Sequence, residues 1–122
     1  MTKDINNYLI KKDQSLKTAM KQMSLYGTKQ LFVIDDKQRL IGALSDGDIR
    51  KSILADINLE NEVFGICNKK PRYVNENYSK KIIKEEMLKF RLESMPVATK
   101  LKEIKDILFW ENVFSDKQSF EK

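Results

Sequence analysis

Histidine is absent from this sequence and cysteine occurs once, at Cys67. A Cys-His couple, an ordinary zinc site and an internal disulfide are thereby all excluded. Glycine is scarce too, with 4 residues, and none stands in a Gly-rich phosphate loop followed by lysine. Long apolar stretches are also missing. The run Ile107-Leu108-Phe109-Trp110 is typical, far short of the roughly 20 residues that a spanning helix needs. The start Met1-Thr2-Lys3-Asp4-Ile5-Asn6 carries no basic stretch followed by an apolar segment and a small-residue cleavage site. A cytoplasmic chain with no membrane contact is the expectation. No nucleophile stands beside a base, so catalysis is not expected. The acidic pairs Asp35-Asp36 and Glu85-Glu86 are read as a solvated turn and helix face with no cause for a shifted pKa.

What is present is charge, spread evenly. Charged residues make up 34% of the chain and the formal net charge is +5. The lysines alternate with acids, as in Lys80-Lys81-Ile82-Ile83-Lys84-Glu85-Glu86, the habit of a solvated helix. No basic strip interleaved with aromatics supports nucleic-acid binding. The excess positive charge favours small anionic ligands instead.

The chain also repeats itself at an offset of 64 residues. Ile10 returns as Val74, Ser15 as Ser79, Met23 as Met87, Val33 as Val97, Leu40 as Ile104, Leu44 as Leu108 and Ile49 as Val113. These matches share one ungapped register and keep apolar character, which marks a duplicated supersecondary unit. In the first copy, Ser15 caps a helix with Leu16, Ala19, Met20 and Met23 on one side, and Gly27 ends it. Leu31-Phe32-Val33-Ile34 reads as a buried strand, and Asp35-Asp36-Lys37-Gln38 as a turn. Leu40–Leu44 reads as a second strand, and a helix follows Ser45. A short strand at Leu9-Ile10 completes a βαββα unit. The second copy predicts a strand near Tyr73-Val74, a helix from Ser79 to about Leu92, strands at Met95–Ala98 and Ile104–Phe109, and a helix from Trp110. The expected domains are 1–57 and 58–114, with Ala55–Pro71 crossing between them and 115–122 as a linker tail.

At the junction after Leu44, Ser45 and Asp48 stand three apart where a helix begins, with Asp46 and Gly47 between them. Unpaired N–H groups and the positive end of the helix dipole favour an anion there. Asp48 is suited to accept from two ribose hydroxyls and Ser45 to donate to a phosphate oxygen, with Arg50 adding charge on the same helix. The same spacing also makes a capping box that requires no ligand. Both readings stand at this level.

Leu31–Asp35 followed by Leu40-Ile41-Gly42-Ala43-Leu44-Ser45-Asp46-Gly47-Asp48-Ile49-Arg50 resembles the end of a cystathionine-β-synthase (CBS) domain, whose Gly-x-x-Ser/Thr-x-x-Asp element it contains. Met95–Ala98 and Asp106–Phe114 resemble a diverged partner. The resemblance implies two pseudo-symmetric βαββα repeats of mixed α/β (α+β) class, packed sheet to sheet. It also implies a nucleotide-sensing regulatory module that binds AMP, ADP, ATP or a related nucleotide and requires no cofactor. Ile10 and Leu31 are implied as base contacts. Because Asp106, Phe109 and Asn112 replace Gly42, Ser45 and Asp48, one site is expected, with Asn112 as a weaker ribose contact. Ser-Asp-Gly-Asp-Ile-Arg and Phe-Trp-Glu-Asn are similar to CBS pairs ahead of bacterial sugar-phosphate nucleotidyltransferase domains. A homodimer and a C-terminal catalytic domain are the implied partners. A structural spacer with a vestigial site is the alternative.

Overall fold

The computed structural model describes residues 4–114. By packing, the chain divides into two units between Pro71 and Arg72. In the first, a 3-10 turn at Ile5–Tyr8 leads into β1 (Leu9–Lys11), α1 (Leu16–Tyr26), β2 (Gln30–Ile34), β3 (Leu40–Ser45) and α2 (Asp46–Leu54). The sheet order is β1-β2-β3, parallel between the first two and antiparallel between the last two. In the second unit come α3 (Lys80–Phe90), β4 (Ser94–Ala98), β5 (Ile104–Phe109) and α4 (Trp110–Phe114). The strand expected near Tyr73-Val74 is reduced to one parallel bridge between Val74 and Val97. The class is the expected mixture of helices and strands.

The 64-residue offset holds at atomic detail. Ile10 pairs with Val33 as Val74 pairs with Val97, and Leu31 faces Leu44 as Met95 faces Leu108. Both hairpins slip register at the same place, between Val33 and Ile34 and between Val97 and Ala98. Both turns are tied by one side chain. Asp35 Oδ1 accepts from the Lys37 and Arg39 amides at 2.9 Å each, and Thr99 Oγ1 accepts from the Leu101 and Glu103 amides at 3.2 Å each.

Helix ends follow local chemistry. Ser15 Oγ accepts from the Thr18 amide and Ser79 Oγ from the Ile82 amide, satisfying N–H groups that a helix start leaves open. Gly27 closes α1 at φ 65°, a left-handed conformation that glycine adopts without penalty. Arg91 closes α3 in the same conformation, at φ 54°.

The first core gathers Ile10, Leu16, Ala19, Met23, Leu31, Val33, Leu44 and Ile49. Val63, fully buried, and Cys67 join it from the segment that follows α2. This differs from the expected crossing over Ala55–Pro71 and from the expected division after residue 57. The segment turns back because its backbone finds partners on the first unit. Leu59 and Asn61 carbonyls accept from the Lys17 and Leu16 amides at 2.9 Å, and the Val63 amide donates to Gln14 at 2.8 Å. Further on, Asn68 pairs with Ala43 in both directions at 2.9 Å, covering the edge of β3. Gly42 makes that approach possible, since a Cβ there would lie 2.5 Å from Cys67 Sγ. The second core holds Ile83, Met87, Met95 and Val113. The expected tail at 115–122 lies outside the described residues.

Candidate functional site

The β3-to-α2 junction is built as the sequence implies, and the capping reading is realised in full. Ser45 Oγ accepts from the Asp48 amide at 3.1 Å, and Asp48 Oδ2 accepts from the Ser45 amide at 3.0 Å. The cap uses both groups only as acceptors. Ser45 therefore keeps a hydroxyl proton to donate, and among the described residues Asp48 Oδ1 carries no bond. Donor and acceptor stand side by side on a half-buried surface at the start of a 9-residue helix. Capping and ligand binding thus draw on different lone pairs and protons of the same two side chains.

Their neighbours point elsewhere. Arg50 ion-pairs with Asp46 at 2.8 Å, both largely exposed, so freeing the guanidinium for a phosphate gives up only about 0.3–0.5 kcal/mol. Asp46 and Arg50 border an open groove of about 330 Å³ between α1 and α2, with Met20, Met23, Thr28 and Ile53. Gly47 has ordinary room for a Cβ, 3.7 Å from Ser45 Oγ, and no positive φ, so neither conformation nor crowding demands glycine there. The motif glycine that crowding does demand is Gly42. It serves the Cys67-Asn68 segment.

The residues implied as base contacts are buried. Ile10 and Leu31 lie in the first core with α1 side chains, and Leu9 and Phe32 on the neighbouring strand positions are buried as well, Phe32 at 2% exposure. Strand alternation assigns the opposite sheet face to Leu9, Phe32 and Ala43, which stand in one cross-strand row. Asn112 lies exposed on α4 of the second unit, at the register position of Asp48. Trp110 packs on Phe114 with ring centroids 4.2 Å apart, a packing role.

Among the described residues, Asp35 and Cys67 depart from ordinary values. Partial burial works against the charged form of Asp35, but hydrogen bonds from the Arg39 amide and guanidinium and the Lys37 amide outweigh it. The carboxyl is held below the usual range, which corrects the reading of this pair as merely solvated. Burial pushes the Cys67 thiol up, Lys69 pulling the other way. Among the described residues no acidic cluster is arranged to hold a metal, and no helix is long and apolar enough to cross a membrane.

With this geometry in view, residues 1–55 match the family model of the CBS domain. That first repeat is a CBS domain, and the whole chain is similar to CBS-domain structures. A crystal structure of a CBS domain is 27% identical, with a TM-score of 0.75 over 90% of this chain and 87% of that one. CBSX2 in complex with AMP superposes over 100% of this chain and 95% of that one, with a TM-score of 0.82 at 20% identity, a likeness of fold. A CBS domain protein from Pyrobaculum aerophilum, also complexed with AMP, gives a TM-score of 0.71 at 14% identity over 83% of this chain and 78% of that one. An uncharacterized protein of Helicobacter pylori is 36% identical over 64 residues, 52% of this chain. The match spans only 20% of that relative's length. Both repeats of the chain thus share the fold of CBS-domain structures.

Proposed function

We propose that this chain is a cytoplasmic nucleotide-sensing regulatory module, the CBS part of a longer polypeptide, whose ligand is held by Ser45 and Asp48. The observation that carries the reading is the unspent donor and acceptor beside a helix N-terminus, within a fold whose relatives include two AMP complexes. Ribose hydroxyls donate to Asp48 Oδ1, and Ser45 donates to a phosphate oxygen. Gly47 and Asp46 line the same turn, and Arg50 swings from Asp46 toward the phosphate. Ile10 and Leu31 are the residues for a base, reached only if the ligand opens the packing around them, and Asn112 belongs to a weaker or absent second site. Binding regulates by differential affinity for two states of the longer protein, through a homodimer. Attachment to a sugar-phosphate nucleotidyltransferase domain rests on the likeness of the Ser45–Arg50 and Phe109–Asn112 runs alone.

Thermal unfolding with AMP, ADP, ATP, CMP, GTP and nucleotide sugars tests this. A ligand at about 100 times its Kd adds about 2.7 kcal/mol. Asp48→Asn keeps an oxygen for the Ser45 amide but removes the charge, so it weakens binding roughly tenfold while the unliganded melting point stays nearly in place. Asn112→Ala leaves binding within a factor of about three, a change under 1 kcal/mol. A melting point unmoved across the panel supports the alternative, a structural spacer with a vestigial site.

A further inference from the structure

In the first unit the segment after α2 forms a strap. Leu59–Phe64 crosses the start of α1, bonded to Lys12, Gln14, Leu16 and Lys17, and ends in a 3-10 turn (Val63–Gly65) that buries Val63 in the core that holds Ile10 and Ala19. Only four residues separate Leu54, the end of α2, from Leu59.

The same surface, 64 positions on, is open. Val74, Ser79 and Ile83 stand where Ile10, Ser15 and Ala19 stand, and they line a groove of about 710 Å³ with Tyr73, Tyr78 and Lys100 at its walls. Ile82, at 52% exposure, faces the same opening. Among the described residues of this unit nothing takes the place of Val63. The counterparts of Leu59–Phe64 would be residues 123–128, beyond Lys122.

We propose that this groove seats the polypeptide that follows this chain in the longer protein, crossing Asn75–Lys81 as a strap and setting one aliphatic side chain over Val74 and Ile82. The register of the repeat and the apolar side chains Val74 and Ile82 specify this occupant, and Lys100 at the rim favours acidic flanking residues. The strap ends before β5. In the first unit Asn68 goes on to pair with Ala43 over Gly42, but Asp106 stands in the place of Gly42. Its Oδ1 already accepts from the Ile107 amide at 2.8 Å, the donor equivalent to Ala43. The inference rests on further polypeptide following this chain and not on a bound nucleotide.

The test compares this chain with the natural polypeptide carried about 14 residues past Lys122, enough to complete the counterpart of Leu59–Asn68. Hydrogen exchange at the Lys81 amide, counterpart of the Lys17 amide that bonds Leu59, slows roughly tenfold or more in the longer form, while Ile107 is unchanged. Ile82→Glu leaves the melting point of the short chain in place, because the residue is exposed, and abolishes the protection in the long one. Equal Lys81 exchange in both lengths overturns the strap while leaving the attachment intact. A reading frame that stops at Lys122 overturns both, and neither result touches nucleotide binding.

Discussion

Cys67 shows how much a single side chain depends on what lies against it. Its thiol is packed where Gly42 leaves room, and its S–H donates to the Phe64 carbonyl at 3.6 Å. Burial disfavours the thiolate, so the unfolded chain loses this proton at lower pH than the native one. Native stability from this group is full below the free thiol's range near 8.5 and is lost as pH climbs toward the raised value. The melting-point gap between the native chain and Cys67→Ala should therefore narrow between pH 7 and pH 10. A constant gap would show that the thiol does not titrate differently on folding. At this scale the sequence was a good guide to caps, because Ser15, Ser45 and Ser79 act on amides three residues away. For Ile10 and Leu31 it left the sheet face open. Alternation reveals that successive strand residues face opposite ways, but not which face meets the helices.

Among the elements, α1 and α3 are the same helix with different stops. Gly27 and Arg91 hold the same left-handed conformation, and each donates its amide to the carbonyl four residues back, Met23 or Met87. For a residue with a Cβ that conformation costs about 1 kcal/mol, part of which returns as the lower entropy of its unfolded chain. Arg91→Gly should thus raise stability by about 0.5–1 kcal/mol in urea unfolding, and Gly27→Ala should lower it by a similar amount. Nothing lies within 4 Å of a Cβ at Gly27, so that loss would be conformational alone. The left-handed stop at Arg91, and those at Gln38 and Lys102 in the hairpin turns, gave no sign in the sequence. Sequence signals for such backbone rely on glycine or asparagine, and these positions use neither.

For the whole molecule, duplication was legible because the offset never slips, and every hairpin pairing of one unit has its counterpart in the other. The ownership of residues 58–71 was not legible. That segment reads as a polar connector, and only its tertiary partners, the start of α1 and the edge of β3, give it to the first unit. Val63 measures the consequence. Val63→Ala should destabilise the first unit by about 2 kcal/mol, although the residue lies outside the βαββα pattern. Hydrogen exchange should report the loss at Leu16, Leu31 and Leu44 and leave Met87 and Met95 unaffected. An equal loss in both units would mean that the segment belongs to neither alone.

A chain made of two like halves risks misassembly as it folds, since each connector meets two similar landing places. Asp106 removes that ambiguity for the stretch around Cys67. A thiol that nests over bare backbone at Gly42 would meet a carboxylate in the other half, and taking that charge out of water with the Ile107 amide as its one bonded donor is penalised. One carboxylate in the later copy thus steers traffic in the earlier one, so that divergence between the halves serves fidelity of folding as well as any difference in what they bind.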